Sequence, residues 1–508
     1  MDLRRLFIET WERRGRDAIL ADETRETTLD TIARSAARLS ELVDREDRSP
    51  DGRVAIMLPN VLGFNVAFLA CMFAGRTAVP LNFLLPPATL AHMFSDCGAR
   101  LILTATPFYE TIQQTQLILG EPLHPVYLDQ LAAQGPAWLK KLALSLYSPA
   151  KMSRRASPID EHETAVILYT SGTEGPNKGV MLTHKNLISN YQSVVEAIGF
   201  DDNERLACIL PTFHSFALTT CCIMPMLRGA HIFNMKRFSP GPVLDLIQQK
   251  RISYLVLVPP MYALLARHPG IRKVDFSSVK IFVSGGGPLS PSVAEEFRSV
   301  TGHDILNGYG LTEASPVVSI NPPGRFRDGS VGVALPGGVE VQVWDEDGHP
   351  LSPGQVGEIM IKGPNVMKGY LNHPEATART ITPDGWLHSG DLGRMDEEGY
   401  VYITGRKKEL IICSGKNIYP LEIEMVINEL ENVAECAVVG VEDTLRGEYP
   451  KAFVVLNDGA RLSEKQVREH CARHLAAYMV PREVQFVREL PKNALGKIQK
   501  HRLKQMVS

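Results

Sequence analysis

Residues 169–179 read YTSGTEGPNKG. An apolar run ends at Tyr169, and the loop that follows is rich in Gly, Ser and Thr and carries one lysine. Loops of this composition bring backbone N–H groups close to phosphate oxygens. Thr170, Ser171 and Thr173 add hydroxyl donors, Gly172 and Gly175 let the backbone approach, and Lys178 adds a point charge. In a Walker loop the lysine follows a glycine and precedes a Ser or Thr that holds magnesium. Here Lys178 stands between Asn177 and Gly179, so the segment is a different kind of nucleotide loop. Standing alone, it reads first as a surface turn.

Other segments accompany it. Ser284-Gly285-Gly286-Gly287-Pro288 follows a strand-like run and could let a flat base lie against bare backbone. Gly308-Tyr309-Gly310-Leu311-Thr312-Glu313 follows another and offers a stacking ring, a hydroxyl and a carboxylate. Glu313 suits magnesium, which is commonly held by one or two carboxylates plus substrate phosphates. Each is weak alone, since Gly-x-Gly after a strand is common and a lone Glu is usually surface. Further on come Trp386-Leu387-His388-Ser389-Gly390-Asp391, Gly405-Arg406-Lys407-Lys408 and Leu495-Gly496-Lys497.

In order and in wording, YTSGTEGPNKG, GYGLTE, GWLHSGD, GRKKE and the terminal LGK resemble the adenylate-forming superfamily, which includes acyl-CoA synthetases, luciferases and peptide-synthetase adenylation domains. The resemblance runs from about residue 30 to the C-terminus. It implies a two-step ligation: a carboxylate attacks the α-phosphate of ATP, and a thiol then displaces AMP. Two anions must meet, so the site has to supply positive charge and donors. By resemblance, Thr170, Ser171, Gly172, Thr173, Gly175 and Lys178 cradle the β- and γ-phosphates, and Glu313 holds Mg2+. Thr312 contacts the α-phosphate, while Tyr309 and Gly285, Gly286 and Gly287 bracket adenine. Asp391 takes the ribose hydroxyls with Arg406 nearby, and Lys497 offsets the charge building at the α-phosphate. Lys408 matches the hinge of a C-terminal lid, and Gly415 matches the loop that lines the thiol tunnel. For Lys408, the plain alternative is a solvated surface lysine.

Leu210-Pro211-Thr212-Phe213-His214-Ser215-Phe216 bears on the acid. Amino-acid-activating relatives place Asp where His214 stands, and His214 supplies no permanent negative charge. An α-amino acid is therefore disfavoured, and a His after Phe resembles the acyl-CoA synthetase branch. The alternative is a satisfied core histidine. Phe213, Phe216, Leu218, Met224 and Met226 suit either a fatty acid pocket or ordinary core. Thr173-Glu174, with Phe213 to Phe216, also resembles bacterial acyl-carrier-protein synthetases and acylglycerophosphoethanolamine acyltransferases. The expected activity is an ATP- and Mg2+-dependent fatty acid ligase, AMP-forming, with coenzyme A as the default thiol. Its rivals are an acyl-carrier-protein ligase using the carrier's phosphopantetheine, an aryl or short-chain acid ligase, and a catalytically silent nucleotide- and acyl-binding module.

These residues need a scaffold. Short apolar runs at 53–58, 77–81, 100–104, 165–169, 254–258, 280–283 and 304–306 alternate with helical stretches such as 61–73, 88–94, 242–250 and 291–300. That alternation predicts an α/β fold of doubly wound parallel sheets. Near residue 330 the texture turns to alternating strands and dense turns, predicting a β-rich, barrel-like subdomain at about 330–400. The predicted domains are 1–407 and a small α+β lid at 408–508.

Composition bounds the rest. The 508 residues are 44% hydrophobic and 22% charged, as in an ordinary globular protein. Lys+Arg total 54 against Asp+Glu 57, a net charge of -3, which argues against a nucleic-acid partner. Eight cysteines without a Cys-x-x-Cys pair read as reduced thiols. The N-terminal residues lack a signal-peptide apolar region, and the stretch 61–75 is shorter than the ~20 residues that span a bilayer. A cytoplasmic protein is expected. One basic segment, 138–155, interleaves Lys140, Lys141, Lys151, Arg154 and Arg155 with apolar residues. It suits an anionic membrane surface, an acidic carrier protein, or a plain solvated face.

Overall fold

Two mostly parallel sheets face one another across buried helices, and the short apolar runs form their inner strands. The computed structural model describes residues 1–47, 49, 51–133, 144–170, 177–413, 416–443, 447–492 and 498–507. The first sheet runs in the order Val333–Ala334, Val317–Ile320, Ile305–Gly310, Ile281–Ser284, Tyr254–Leu257, Arg205–Cys208, His231–Asn234, Ile19–Ala21, Glu26–Thr28. It is parallel from Ile305–Gly310 through Ile19–Ala21 and antiparallel at both edges. The second has the order Gly369–Tyr370, Lys178–Thr183, Thr164–Thr170, Thr77–Pro80, Arg53–Ile56, Leu101–Thr104, His124–Tyr127.

Strands covered on both faces have no need of alternation, which is why Leu101–Thr104, Tyr254–Leu257 and Ile281–Ser284 are buried at every position. The helix Leu62–Ala74 is apolar nearly all round, and one core cluster joins it to strands of both sheets. It stops at Gly75, whose φ of 66° is the left-handed value that glycine adopts without steric cost.

The β-rich stretch is an antiparallel sheet of Glu340–Trp344, Gly357–Lys362, Leu387–Met395 and Val401–Arg406. It reaches Arg406 rather than stopping near 400. Within the same stretch, Val333–Ala334 joins the first sheet and Gly369–Tyr370 the second. The segment therefore fastens the halves of the large domain together. The short turn Lys407–Glu409 leads out of it into a C-terminal sheet with its own core around Ile411, Ile423, Val438, Val454 and Val467.

The basic segment is described from residue 144 onward. There Tyr147 and Met152 are buried, and the Tyr147 hydroxyl donates to Glu41 (2.6 Å). Arg155 pairs with Glu41 (2.8 Å) and Asp44 (3.4 Å), both on helix Leu29–Glu46. This half is docked on its own chain rather than offering a free amphipathic face. Trp138, Lys140 and Lys141 lie outside the described residues. Among the described residues no helix is long and apolar enough to cross a membrane. All eight cysteines are buried and unpaired.

Candidate active site

The carboxyl ends of the first sheet's strands carry the glycine loops, the usual place for ligands in an open α/β sheet. Strand Ile281–Ser284 runs into Gly285–Gly287, and strand Ile305–Gly310 runs into Thr312 and Glu313. Bare backbone is required here. A Cβ on Gly310 would sit 2.1 Å from the Pro316 carbonyl oxygen, and one on Gly285 would sit 3.0 Å from the Phe216 ring. Around these loops buried polar atoms lack a hydrogen-bond partner among the described residues, Ser284 Oγ, Asn307 Oδ1, His214 Nε2 and Ser315 Oγ among them. Orphaned buried polar atoms are costly unless something fills the site, so this wall fits a polar ligand.

From the segment Gly308–Glu313 two networks spread. On one side the Tyr309 hydroxyl donates to Asp391 Oδ2 (2.7 Å). Asp391 Oδ1 lies 3.1 Å from Arg406 Nε, the carboxylate being about one-tenth exposed. Burial and the adjacent carboxylate both raise the Tyr309 pKa, so the phenol stays a donor. Asp391 and Arg406 face each other across paired strands, their register fixed by Leu387–Met395 against Val401–Arg406.

On the other side the Glu313 carboxylate accepts from Tyr370 Oη (2.8 Å). Lys178 Nζ stands 5.1 Å from the centre of the same tyrosine ring. Lys178 opens the strand that pairs with Thr164–Thr170, and Tyr370 pairs beside it at Val180. Thr170 and Lys178 face each other across that pairing. Cation, phenol and carboxylate thus form one cluster, and it fits magnesium in donor type: Glu313 is a hard oxygen ligand beside a lysine suited to phosphate.

Thr312 Oγ1 lies 3.0 Å from Ser215 Oγ, linking this segment to His214-Ser215-Phe216. His214 packs on Phe213, ring centres 4.5 Å apart, and burial lowers its pKa to about 4. The imidazole is therefore neutral at pH 7. Burial also lowers His184 to about 4, and its Nδ1 accepts from the Leu3 N–H. Both values lie below the unfolded-state value of about 6.5. Below that pH the unfolded chain binds protons that the folded chain does not, so stability falls as pH drops from 6.5 toward 4. The expected loss is about 2 kcal/mol per histidine by pH 5. Thermal melts of the protein and of His214→Gln across this range check it. A variant as acid-sensitive as the parent would show that His214 contributes nothing.

Of the residues expected from sequence, Thr170, Lys178, His214, Gly285, Gly286, Gly287, Tyr309, Thr312, Glu313, Asp391 and Arg406 are described. Most converge on the two networks and the cavity between them. Lys408 stands in the exposed turn between the antiparallel sheet and the C-terminal sheet. Ser171, Gly172, Thr173, Gly175, Gly415 and Lys497 lie outside the described residues.

Two further residues of these networks carry no signal in the sequence. Tyr370 lacked any local signal; only strand pairing brings it to Lys178 and Glu313. Glu358 is the other. It accepts from the Gly390 N–H (3.1 Å) and pairs with Lys407 (3.0 Å) and His388 (3.4 Å), holding the Asp391 and Arg406 segments in place. Burial by itself would raise its pKa, yet Lys407, His388 and the Gly390 N–H together hold it below the usual carboxylate value.

An apolar cavity of about 200 Å³ begins at these loops. Its lining includes His214, Phe216, Gly285 and Gly308–Thr312 together with Val194, Val256, Val283 and Tyr254.

Comparison with known proteins agrees with this geometry. Residues 7–371 match the AMP-binding enzyme family, and residues 422–497 match the AMP-binding enzyme C-terminal domain. The chain is 36% identical over 481 residues to a long-chain-fatty-acid–CoA ligase of Salmonella typhimurium, covering 89% of this chain and 85% of that protein. It is 34% identical over 475 residues to a feruloyl-CoA synthase of Amycolatopsis, covering 93% and 92%. Among solved structures, ATP-bound MatB from Rhodopseudomonas palustris superimposes with a TM-score of 0.89 at 32% identity, covering 100% of this chain and 99% of that one.

Proposed function

Because this chain belongs to the AMP-binding enzyme family, on its AMP-forming acid–CoA ligase branch, we propose that it activates an apolar carboxylic acid, a fatty acid first of all, with ATP and passes the acyl group to coenzyme A. One observation carries this reading. The single segment Gly308–Glu313 contributes Tyr309 to the Asp391–Arg406 pair, Thr312 to the end of an apolar cavity, and Glu313 to the Lys178–Tyr370 cluster. This arrangement supports neighbouring places for nucleoside, phosphates and acid.

The adenine would lie between the Gly285–Gly287 backbone and Tyr309, with its ribose hydroxyls on Asp391. Lys178, pre-oriented over the Tyr370 ring, offsets phosphate charge, and Thr312 donates at the α-phosphate. Magnesium, held by Glu313 and the substrate phosphates, would neutralise charge on the leaving pyrophosphate. The acid enters with its tail in the cavity and its carboxylate toward Thr312. Neutral His214 can approach that carboxylate as a hydrogen-bond partner without the cost of a buried cation. The reaction is in-line displacement aided by positioning and electrostatics. Lys497, on the lid beyond a hinge at Lys408, would complete the charge balance in the first half-reaction. The Gly415 loop would then line the path of the thiol.

A second reading, an aryl acid ligase, draws support from the likeness to a feruloyl-CoA synthase. Acid-dependent ATP–pyrophosphate exchange with octanoate, hexadecanoate, benzoate, ferulate and acetate separates the readings. Transfer assays with coenzyme A and acyl carrier protein then fix the acceptor. Exchange with fatty acids and product with coenzyme A are expected. Exchange only with ferulate or benzoate would favour the second reading, and nucleotide binding without any exchange would point to a silent module.

A further inference from the structure

We propose that Tyr254 is the floor of the acyl cavity and limits this enzyme to acids with tails of about eight carbons or a single ring. This deepens the ligase reading and rests on it.

Tyr254 opens strand Tyr254–Leu257, so it sits at the amino end of the sheet, opposite the end that carries the glycine loops. Its ring is 2% exposed and packs edge-on against Phe200, with centroids 4.8 Å apart. Its hydroxyl donates to the carbonyls of Ile198 (3.3 Å) and Gly199 (3.2 Å), where helix His184–Ile198 ends. The stop is therefore held from two sides. A flexible Met or Leu would swing aside for a longer tail, whereas a ring anchored by its hydroxyl to helix-end carbonyls has no such freedom.

Two independent rulers give the same limit. The first is volume. An apolar cavity of roughly 150 Å³ accommodates benzene, six carbons, so the cavity of about 200 Å³ accommodates about eight. Part of that volume lies beside Gly308–Gly310, next to the nucleotide wall, so eight is an upper figure. The second is length. Strand register pairs Tyr254 with Ile281 and Leu257 with Ser284. Three residues at about 3.3 Å each put the Tyr254 Cα about 10 Å below the level of the glycine loops, a reach on the order of eight methylenes. The walls between are also filled: Val194, Ile198, Val256 and Val283 close the sides.

The test is a chain-length series, butanoate to hexadecanoate with benzoate alongside, measured as kcat/KM for acid-dependent pyrophosphate exchange. Each methylene that gains burial is worth about fourfold, so activity should climb to hexanoate or octanoate and then fall. Hexadecanoate is expected at least about tenfold below octanoate. Tyr254→Ala should move the optimum to longer acids and raise dodecanoate relative to octanoate by about tenfold, whereas Tyr254→Phe, which keeps the ring but loses its hydroxyl anchor, should shift the profile the same way by no more than about threefold. Should the alanine variant fold poorly, Val194→Phe provides the converse, shifting the optimum toward butanoate by narrowing the channel. A parent enzyme that prefers hexadecanoate, or variants that scale all acids equally, would overturn the proposal while leaving the ligase reading intact. Failure of the parent to exchange with every acid would overturn the ligase reading and this proposal with it.

Discussion

Asp391→Ala is expected to lower acid-dependent pyrophosphate exchange by about a hundredfold, most of it in the KM for ATP. The carboxylate is about one-tenth exposed and holds two partners, the Tyr309 hydroxyl at 2.7 Å and Arg406 Nε at 3.1 Å. It also gives the ribose its only proposed acceptor. Removing it leaves Tyr309 and Arg406 without that partner and takes away hydrogen bonds to a charged group, each worth about 1.5–3 kcal/mol. Arg406 is 37% exposed, so water replaces part of what it loses and the stability cost stays modest, about 1 kcal/mol. The effect should therefore show in nucleotide binding more than in the melting temperature. Asp391→Asn keeps an acceptor for Tyr309 and should lie between the two. Exchange by the alanine variant within threefold of the parent, with unchanged KM for ATP, would remove Asp391 from the site.

Lys497→Ala divides the two half-reactions. Adenylation should fall by about a hundred- to a thousandfold, the scale of losing one preorganised group aimed at developing charge. Thiolation of a supplied acyl-adenylate should stay within a few-fold of the parent. Lys497 lies outside the described residues, and its role follows from the terminal LGK match. The residues that flank it are secured to the lid. Lys492 and Ile498 form a β-bridge, and Gln499 N–H donates to the Pro491 carbonyl (2.7 Å). Lys500 pairs with Glu409 (2.9 Å) and Glu424 (2.8 Å). Burial would lower the Lys500 pKa, but the two carboxylates overcome it and keep the ammonium charged. In an alternating lid of this kind, Lys497 would serve one half-reaction and withdraw from the other. Equal loss in both half-reactions would count against an alternating lid.

Residue types and short-range spacing carried much of the site. Glycine loops after apolar runs announced where backbone comes close to its surroundings, because at Gly310 a Cβ would collide with the Pro316 backbone and at Gly285 it would press on the Phe216 ring. The alternation of apolar runs with helical periods announced parallel sheets, because strands buried on both faces are predominantly apolar rather than alternating. These are local properties, and a chain displays them before it folds.

Other features depend on which distant segments meet. Tyr309 and Asp391 are 82 positions apart, and Glu313 and Tyr370 are 57 apart. No period or motif predicts such meetings; the packing of separate sheets and turns against one another does. The basic segment shows the same limit from the other direction. Its composition suits a membrane or an acidic partner, yet Tyr147 and Arg155 turn to Glu41 and Asp44 of the chain itself. The sequence by itself determined which side chains were on offer: hydroxyls and a lysine at Thr170 to Lys178, the Glu313 and Asp391 carboxylates, and a lysine close to the C-terminus. Tertiary structure alone decided the assembly of Lys178, Tyr370 and Glu313, the bracing by Glu358, and the depth of the cavity above Tyr254. A cavity is the space left by side chains from several elements, so its size is a sum over contacts that no stretch of chain contains.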